Sequence, residues 1–311
     1  MAMLISIGHD GWYTEEQMAE QLQAMAPGAD IRPISAPGNL DDITVLAVSA
    51  LKGDLPAQLP NLKLVQKLGA GVDTIVAHPS LAPHVRVARL RPLEPAHEIA
   101  EFCLAYVLRD QRNMRAHAAS QASSAWEPLA PRRPQETTVG ILGLGHIGGM
   151  TARLMRDMRF RVLGWSRSPK EIEGVDCRHG AAALPQMLGE CDYVCSILPS
   201  TPATRGLMNI ETLAAMKPGA MLINAGRGDL VDEPALLAAL DKGTPGHAVL
   251  DVVSKEPLPA DNPLWAHPQV TITPHVSGWH LGDALKDVVE NLRRLEAGEE
   301  LLHEVDRQRG Y

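Results

Sequence analysis

The chain has 311 residues, of which 45% are hydrophobic, so it is long enough to bury the cores of two domains. Its formal net charge of −8 offers no basic excess for neutralising phosphates, which argues against a nucleic-acid partner. No apolar run approaches the ~18 residues of a membrane span, and the N-terminus lacks the pattern of a signal peptide. The four cysteines form no CxxC pair and no zinc-type spacing, which favours free thiols in a reducing cytoplasm and predicts no metal site.

Short apolar runs alternate with helical patterns in the first part of the chain. We predict strands at "LISIG" from residue 4, "ITVLAV" from 43, "LKLVQKL" from 62 and "VRVAR" from 85. The segment "TEEQMAEQLQAMAPG" predicts a helix with Thr14 as N-cap and Gln17 at the capping-box position. The apolar face of "AHEIAEFCLAYVLRDQRNMRAHAASQ" predicts one long helix, which a proline-rich turn at residues 126 to 136 follows.

The alternation restarts after this turn. Six further strands are predicted at "TVGILG", "FRVLGWS", "DYVCSIL", "AMLINAG", "HAVLDVV" and "VTITPH". Their continuous apolar runs are typical of strands that are covered on both faces of a parallel sheet. The last helix, "ALKDVVENLRRLEAG", follows the sixth of these strands and could return to the first domain. We therefore predict two α/β domains, with a ligand cleft between them.

Three glycines in "TVGILGLGHIGGM" match the GxGxxG pattern, namely Gly143, Gly145 and Gly148. A strand ends at the first glycine, a helix starts near His146 and Ile147, and another strand follows, which is the context of a dinucleotide-binding turn. Gly143 permits the turn, Gly145 lets the backbone approach a pyrophosphate, and Gly148 lets the helix lie close to the strand. The helix N-terminus offers N–H groups to the phosphates. A structural turn without a ligand is the weaker alternative.

The end of the next strand predicts which dinucleotide is bound. NAD enzymes usually carry Asp or Glu there to bind the ribose hydroxyls, but this chain has Ser166, and Arg167 and Ser168 follow. No carboxylate repels a 2′-phosphate, and a guanidinium can pair with one. We therefore predict that NADP(H) is preferred over NAD(H); the alternative is a solvated loop whose charge is incidental.

Arg227, Glu256 and His275 stand at or after the ends of later strands, where ligands of open α/β sheets bind. They would suit the reduction of a 2-oxo acid. Arg227 could hold the substrate carboxylate by two hydrogen bonds, and His275 could donate a proton to the carbonyl oxygen. Glu256 would orient the ring and favour the imidazolium. Taken singly, they could also be a surface ion pair, a loop carboxylate and a turn residue.

Six motifs follow one another along the chain, namely "KLGAGVD", "GILGLGHIG", "LPSTPATRGLMN", "MKPGAMLINAGRGDLVDEPAL", "LDVVSKEPLP" and "TPHVSG". In this order and spacing, the chain resembles the D-specific 2-hydroxyacid dehydrogenases over nearly its whole length. It is most similar to their NADPH-dependent glyoxylate/hydroxypyruvate reductase branch. The resemblance implies two doubly wound parallel-sheet domains, a Rossmann cofactor domain (103–281) inserted into a flavodoxin-like substrate domain (1–102 and 282–311). It also implies a homodimer.

The resemblance further implies roles for individual residues. Arg227, Glu256 and His275 would be the catalytic set. The expected substrate-binding residues are Leu68, Gly69, Ala70, Gly71, Arg227, His275 and Trp279. Besides the glycine turn and residues 166 to 168, the expected cofactor-binding residues are Leu198, Pro199, Thr204, Ala225, Gly226, Arg227, Asp251, Ser277 and Gly278.

Alternatives to reduction of glyoxylate or hydroxypyruvate also follow from the sequence. Trp279 could narrow the pocket for small acids, stack on a larger substrate such as phenylpyruvate, or serve only in packing. Glu256 disfavours a formate-oxidising relative, which would carry Gln there, and the absent acidic residue at position 166 disfavours phosphoglycerate oxidation. Phosphite oxidation is a weaker option. A non-catalytic dinucleotide sensor on the same fold is disfavoured by the intact catalytic set.

Overall fold

A computed structural model of the protein describes residues 1–8 and 11–307. Its strands are β1 (Ala2–Ser6), β2 (Asp30–Pro33), β3 (Ile43–Val48), β4 (Leu64–Lys67), β5 (Arg86–Ala88), β6 (Thr138–Leu142), β7 (Arg161–Ser166), β8 (Asp176–His179), β9 (Tyr193–Ser196), β10 (Met221–Asn224), β11 (His247–Leu250) and β12 (Val270–Ile272). Its α-helices are α1 (Glu15–Met25), α2 (Asp73–Val76), α3 (Leu93–Gln111), α4 (Met114–Ala122), α5 (His146–Asp157), α6 (Ala183–Leu188), α7 (Ile210–Ala214), α8 (Glu233–Leu240) and α9 (Leu285–Ala297).

The strands form two sheets, and within each sheet neighbouring strands pair in parallel. The first sheet has the order β2-β1-β3-β4-β5, and the second has the order β12-β11-β10-β9-β6-β7-β8. In each sheet the chain starts inside and winds outward in both directions. From β8 inward, the second sheet follows the strand order of dinucleotide-binding folds, with β12 added at the edge. The prediction of two doubly wound α/β domains is confirmed.

The chain divides into two compact units, which comprise Met1–Glu94 with Trp279–Tyr311, and Pro95–Gly278. The boundary that the sequence suggested after residue 102 falls inside α3. Cys103 and Val107 of this helix belong to an apolar cluster of the second unit, and the partly buried Ile99 packs against it. Most of α3 therefore goes with the second unit.

In the first unit, the two predicted terminal helices are confirmed. The Thr14 hydroxyl accepts the Gln17 N–H at 3.2 Å, and the Gln17 side chain accepts the Thr14 N–H at 2.9 Å, so α1 begins with the expected capping box. Leu285, Val288 and Leu292 of α9 pack in the same apolar cluster as β1 and α1. The last helix thus returns to the unit that the start of the chain forms.

The prediction of one long helix over residues 96 to 121 is wrong, because the segment forms α3 and α4. Asn113, between them, has a left-handed backbone with φ of 56°. Asn is one of the few residues that tolerate this conformation, and here its side-chain amide donates to the carbonyl oxygen of Ala130 at 3.2 Å. The hydrogen-bond ladder therefore breaks although the apolar pattern continues.

The second sheet has an apolar cluster on each face. Val194 of β9 and Leu222 of β10 belong to one cluster, whereas the next residues, Cys195 and Ile223, belong to the other. Alternate side chains of a strand point to opposite faces, so both faces of this sheet are buried, as the continuous apolar runs predicted. Parallel strands end at one edge, and this edge carries the residues of the candidate site.

All four cysteines lie in the described part of the chain, and none forms a disulfide. Over residues 1–8 and 11–307 no helix combines the length and apolarity that crossing a bilayer requires. The same residues contain no group of three or more His, Cys, Asp or Glu side chains arranged to hold a metal ion.

A buried amide pair ties α9 to the first sheet and yields a stability prediction. Asn291 is fully buried; its amide donates to Gln66 Oε1 at 2.8 Å, and its Oδ1 accepts the Leu302 N–H at 2.7 Å. We expect Asn291→Ala to lower the free energy of unfolding by about 3 kcal/mol in urea denaturation, because it leaves buried polar groups without partners. Asn61→Ala, which removes one exposed bond to the Asp41 carbonyl oxygen, is the control and should cost about 0.5 kcal/mol. Equal losses in the two variants would contradict this role of Asn291.

Candidate active site

The glycine turn between β6 and α5 has the geometry that its three glycines predict. Gly143 has a φ of +98°, and its N–H donates to the Trp165 carbonyl oxygen at 2.8 Å. A Cβ atom at Gly148 would lie 1.7 Å from the Gly143 carbonyl oxygen, so only glycine lets α5 pack this closely. At Gly145, the N-cap of α5, a Cβ atom would meet nothing within 4 Å. Open space therefore lies before the helix N-terminus, which fits the binding of a pyrophosphate.

The end of β7 carries the residues expected to choose between dinucleotides. Ser166 is buried, and its hydroxyl donates to the Ser168 carbonyl oxygen at 2.7 Å, which fixes the chain as it leaves the sheet. Arg167 and Ser168 are exposed. The segment thus presents a guanidinium on the surface and has no carboxylate at the end of the strand.

The loop after β9 contains three expected cofactor residues. Leu198 is buried against the glycine turn, since its Cδ2 would lie 3.1 Å from a Cβ atom at Gly143. The Thr204 hydroxyl donates to the Pro199 carbonyl oxygen at 2.7 Å and accepts the Thr201 N–H at 2.8 Å. Thr204 therefore acts within the loop, where it braces the backbone beside Leu198.

Arg227 lies in a turn that Asn224, the last residue of β10, holds. The buried Asn224 side chain donates to the Arg227 carbonyl oxygen at 2.8 Å and accepts the Gly226 N–H at 3.3 Å. Ala225 and Gly226 are buried, and a Cβ atom at Gly226 would lie 2.8 Å from the Leu198 carbonyl oxygen. The Arg227 turn is therefore packed directly on the loop after β9.

Gly228 was not singled out from the sequence, but it joins the arginine turn to the next loop. A Cβ atom at Gly228 would lie 1.9 Å from the carbonyl group of Val253. The Val253 N–H donates to Glu256 Oε1 at 3.2 Å. Because Gly228 has no side chain, the backbones that carry Arg227 and Glu256 come together.

Glu256 and His275 form the central pair of the site. His275 Nδ1 lies 2.8 Å from Glu256 Oε2, and the two side chains are 39% and 35% exposed. Burial would raise the pKa of Glu256, but the hydrogen bonds from His275 and Val253 and the charges of His275 and Arg227 outweigh it, so the pKa lies below its ordinary value. Glu256 is therefore an anion at neutral pH, and it contacts the ring through Nδ1.

A buried carboxylate holds the loop that carries His275. Asp251 is 1% exposed; its Oδ1 accepts the Thr273 hydroxyl at 2.6 Å and the Val276 N–H at 2.9 Å, and its Oδ2 accepts the Ser277 N–H at 3.0 Å. The His275 N–H donates to the Asp251 carbonyl oxygen at 2.9 Å. The cofactor contact that the resemblance implies for Asp251 stays a prediction; in the structure, both of its carboxylate oxygens accept hydrogen bonds from the chain itself.

Ser277 and Gly278 follow in the same loop. Ser277 is buried, and a Cβ atom at Gly278 would lie 3.1 Å from Ile99 Cδ1 and 3.2 Å from Pro95 Cβ. Gly278 is thus required for close packing on the start of α3.

The expected substrate loop follows β4 in the first unit. The Leu68 N–H donates to the Val48 carbonyl oxygen at 2.7 Å and is therefore already used. By contrast, no residue in the described part of the chain accepts a hydrogen bond from the N–H groups of Gly69, Ala70 or Gly71. Three successive donors are thus available to an anion such as a carboxylate.

Trp279, also in the first unit, borders a cavity of about 330 Å³. The Trp12 indole N–H donates to the Trp279 carbonyl oxygen at 2.9 Å, and the rings of Trp12 and Tyr13 pack edge to face at 4.9 Å. The cavity is lined by Gly11, Trp12, Tyr13, Gln17, Glu20, Gln21, Trp279 and His280. One side of it is therefore strongly aromatic.

The fold and these side chains define a dinucleotide-binding α/β protein with a histidine–carboxylate pair and an arginine at the strand ends. The family model of the D-isomer specific 2-hydroxyacid dehydrogenase NAD binding domain matches residues 104–277. The chain belongs to the D-isomer specific 2-hydroxyacid dehydrogenases.

Solved structures of the family are similar over the whole chain. A D-isomer specific 2-hydroxyacid dehydrogenase from Xanthobacter autotrophicus Py2, solved with NADPH and MES, is 41% identical with a TM-score of 0.91 and covers 100% of this chain and 99% of its own. An NADPH-dependent glyoxylate/hydroxypyruvate reductase from Sinorhizobium meliloti, solved with NADP and sulfate, is 32% identical with a TM-score of 0.90 and the same coverage. A family protein from Klebsiella pneumoniae 342 is 33% identical with a TM-score of 0.90, over 99% of this chain and 98% of its own.

Two glycine substitutions separate the binding and packing roles of the turn. Gly145→Ala should leave the melting temperature unchanged but raise the Kd for NADPH by about tenfold or more, because a methyl group fills the space before α5. Gly148→Ala should lower the free energy of unfolding by about 2 kcal/mol, because the Gly143 carbonyl group must move. Fluorescence titration and thermal unfolding measure the two effects. Unchanged NADPH affinity in Gly145→Ala would contradict the binding role.

Proposed function

We propose that the protein reduces small 2-oxo acids, with glyoxylate and hydroxypyruvate preferred, to 2-hydroxy acids with NADPH. The observation that carries this proposal is the 2.8 Å contact between His275 Nδ1 and Glu256 Oε2, beside Arg227. When it is bound, NADPH supplies the hydride.

Arg227 holds the substrate carboxylate in this proposal. A guanidinium can bind a carboxylate through two parallel hydrogen bonds, which also fix the direction of the neighbouring carbonyl group. The N–H groups of Gly69, Ala70 and Gly71 are the proposed additional donors to this carboxylate, which their lack of acceptors among the described residues supports.

His275 is the proposed proton donor to the carbonyl oxygen of the substrate. Because Glu256 binds Nδ1, it fixes the ring, favours the imidazolium by its negative charge and directs the Nε2–H toward the substrate. Asp251 holds the backbone of His275, so the ring and its carboxylate partner start from fixed positions.

NADPH is the proposed cofactor in preference to NADH. Gly143, Gly145 and Gly148 would hold the pyrophosphate at the start of α5, and Arg167 and Ser168 would bind the 2′-phosphate. The absence of a carboxylate at Ser166 and the NADPH and NADP named in the structures of two relatives support this preference.

A larger 2-oxo acid is the second candidate substrate. The aromatic cavity of Trp12, Tyr13 and Trp279 favours it, because its volume of about 330 Å³ could accept a ring such as that of phenylpyruvate. In the first proposal, Trp279 instead narrows the pocket for small acids.

We also propose a homodimer in the cytoplasm. Trp126 is 97% exposed, and Met114 and Leu129 of the same stretch are exposed as well, which supports a partner on this part of the second unit. The free state of all four thiols supports a reducing compartment.

The experiment that tests the function follows the absorbance of NADPH, and separately of NADH, with glyoxylate, hydroxypyruvate, pyruvate, phenylpyruvate and oxaloacetate. Faster NADPH oxidation with the first two acids is the expected result. Preference for phenylpyruvate would select the second candidate substrate, and equal or better use of NADH would refute the cofactor preference. Tight NADPH binding without any turnover would instead indicate a dinucleotide sensor.

The role of His275 predicts a specific loss. His275→Ala should lower kcat by about 100-fold or more, the usual scale for removal of a positioned general acid. His117→Ala, at an exposed position of α4, is the control and should keep the wild-type kcat. A His275→Ala enzyme with near-normal kcat would mean that the proton comes from another group.

The charge of Glu256 predicts a change in pH dependence. The pKa of Glu256 is lowered, because the hydrogen bonds from His275 and Val253 and the charges of His275 and Arg227 outweigh its burial, so the carboxylate is ionised through the neutral range. Glu256→Gln removes this negative charge beside the proposed proton donor, so the alkaline limb of the kcat/KM profile for reduction should move to lower pH. A limb that stays in place would leave Glu256 only an orienting role.

A further inference from the structure

The loop after β9 and the segment that follows Arg227 are joined along their backbones. The Gly206 N–H donates to the Asp229 carbonyl oxygen at 2.8 Å, and the Met208 N–H donates to that of Leu230 at 2.9 Å. The Asp232 N–H returns a bond to the Met208 carbonyl oxygen at 3.0 Å. The far end of the proposed cofactor loop is therefore paired with the chain just beyond the arginine.

The side chain of Asp229 adds a second connection, nearer to the proposed cofactor site. The Ser200 hydroxyl donates to Asp229 Oδ2 at 2.5 Å, and Arg205 Nε donates to the same oxygen at 3.2 Å. Ser200 is buried and follows Pro199 directly. One carboxylate thus holds both ends of the loop, two residues away from Arg227.

Asp229 Oδ1, the other carboxylate oxygen, is buried and has no hydrogen-bond donor in the described part of the chain. A buried oxygen without a donor lowers the free energy of unfolding, so stability alone does not explain a carboxylate at this position. This cost points to a role in function.

The segment around Arg227 is therefore contacted from both sides. Asn224 binds its carbonyl oxygen on the side of β10, and Asp229 ties the following residues to the loop after β9. Between them, Gly228 packs on Val253 without a side chain. A change in the order of the cofactor loop would reach the arginine turn through Ser200 and Asp229.

We propose that Asp229 is a positioning residue that couples dinucleotide binding at the Leu198–Thr204 loop to carboxylate binding at Arg227. A cofactor that orders the loop would set the arginine turn, so the substrate carboxylate binds more tightly to the loaded protein. By linkage, the carboxylate increases cofactor affinity by the same factor. This inference rests on the proposed role of Arg227 in substrate binding.

The test measures the Kd of oxamate, an unreactive analogue of a 2-oxo acid, by calorimetry without and with saturating NADPH. The ratio of the two values is the coupling factor, and we expect about tenfold for the wild type. Asp229→Ala should reduce the factor to below about twofold, and Ser200→Ala should reduce it in part. The double variant should match Asp229→Ala, because Ser200 acts through Asp229.

Two further variants separate coupling from stability. Asp229→Asn keeps an acceptor for the Ser200 hydroxyl and should retain most of the coupling. Asp232→Ala removes the N-cap of α8, where Asp232 accepts the Ala235 N–H at 3.0 Å. It should lower the melting temperature and leave the coupling factor unchanged.

A wild-type factor near one, or an Asp229→Ala factor equal to that of the wild type, would overturn the inference. If Asp229→Ala lowered the melting temperature but kept the wild-type coupling factor, Asp229 would have only a structural role. Failure of the proposed reductase function would be seen separately, as wild-type protein that oxidises no NADPH with any 2-oxo acid. The oxamate ratio does not depend on turnover, so the two failures are distinguishable.

Discussion

The geometry of the candidate site depends on one buried carboxylate, that of Asp251. Burial of a charge is costly unless hydrogen bonds compensate it, and Asp251 meets this condition with three donors from the loop that carries His275. His275 has a left-handed backbone with φ of +54°, which is unfavourable for a residue with a Cβ atom. Bonds to Asp251 on both sides of this residue stabilise the turn. Asp251 directly follows β11, so the sheet fixes the histidine through it.

Close backbone contacts bring the other site residues together. Gly228 lies against Val253, Gly226 against Leu198, and Gly148 against Gly143, each at a distance that leaves no room for a Cβ atom. The first two contacts join the glutamate loop, the arginine turn and the loop after β9, and the third closes the glycine turn on itself. The absence of side chains at these glycines therefore determines where the functional side chains lie, and a methyl group at one of them would displace a neighbouring loop.

The sequence predicts those strands whose apolar residue pattern results from the burial that the structure shows. Strands buried on both faces need continuous apolar runs, so β6, β7, β9, β10 and β11 are predictable. The polar edge strands β2 and β8 are only partly buried, carry no such run and were missed. The rule that ligands bind at strand ends suffices to select Glu256 and His275 as partners. It does not reveal the contact between Gly228 and Val253 or the bonds of Asp251, because these depend on the tertiary path of loops more than 20 residues apart.

The arrangement of charges suits an anionic substrate in a protein whose net charge is −8. A glutamate beside a bound carboxylate would repel it, but Glu256 is paired with His275 and lies in the field of Arg227. In the proposed complex, opposite charges would alternate through the site, from the substrate carboxylate to Arg227, then to Glu256 and the proton-donating ring of His275. In the proposed reaction, proton transfer from His275 would remove a positive charge beside Glu256, whereas the charge of Arg227 would persist. The arginine would therefore continue to hold the product carboxylate after proton transfer.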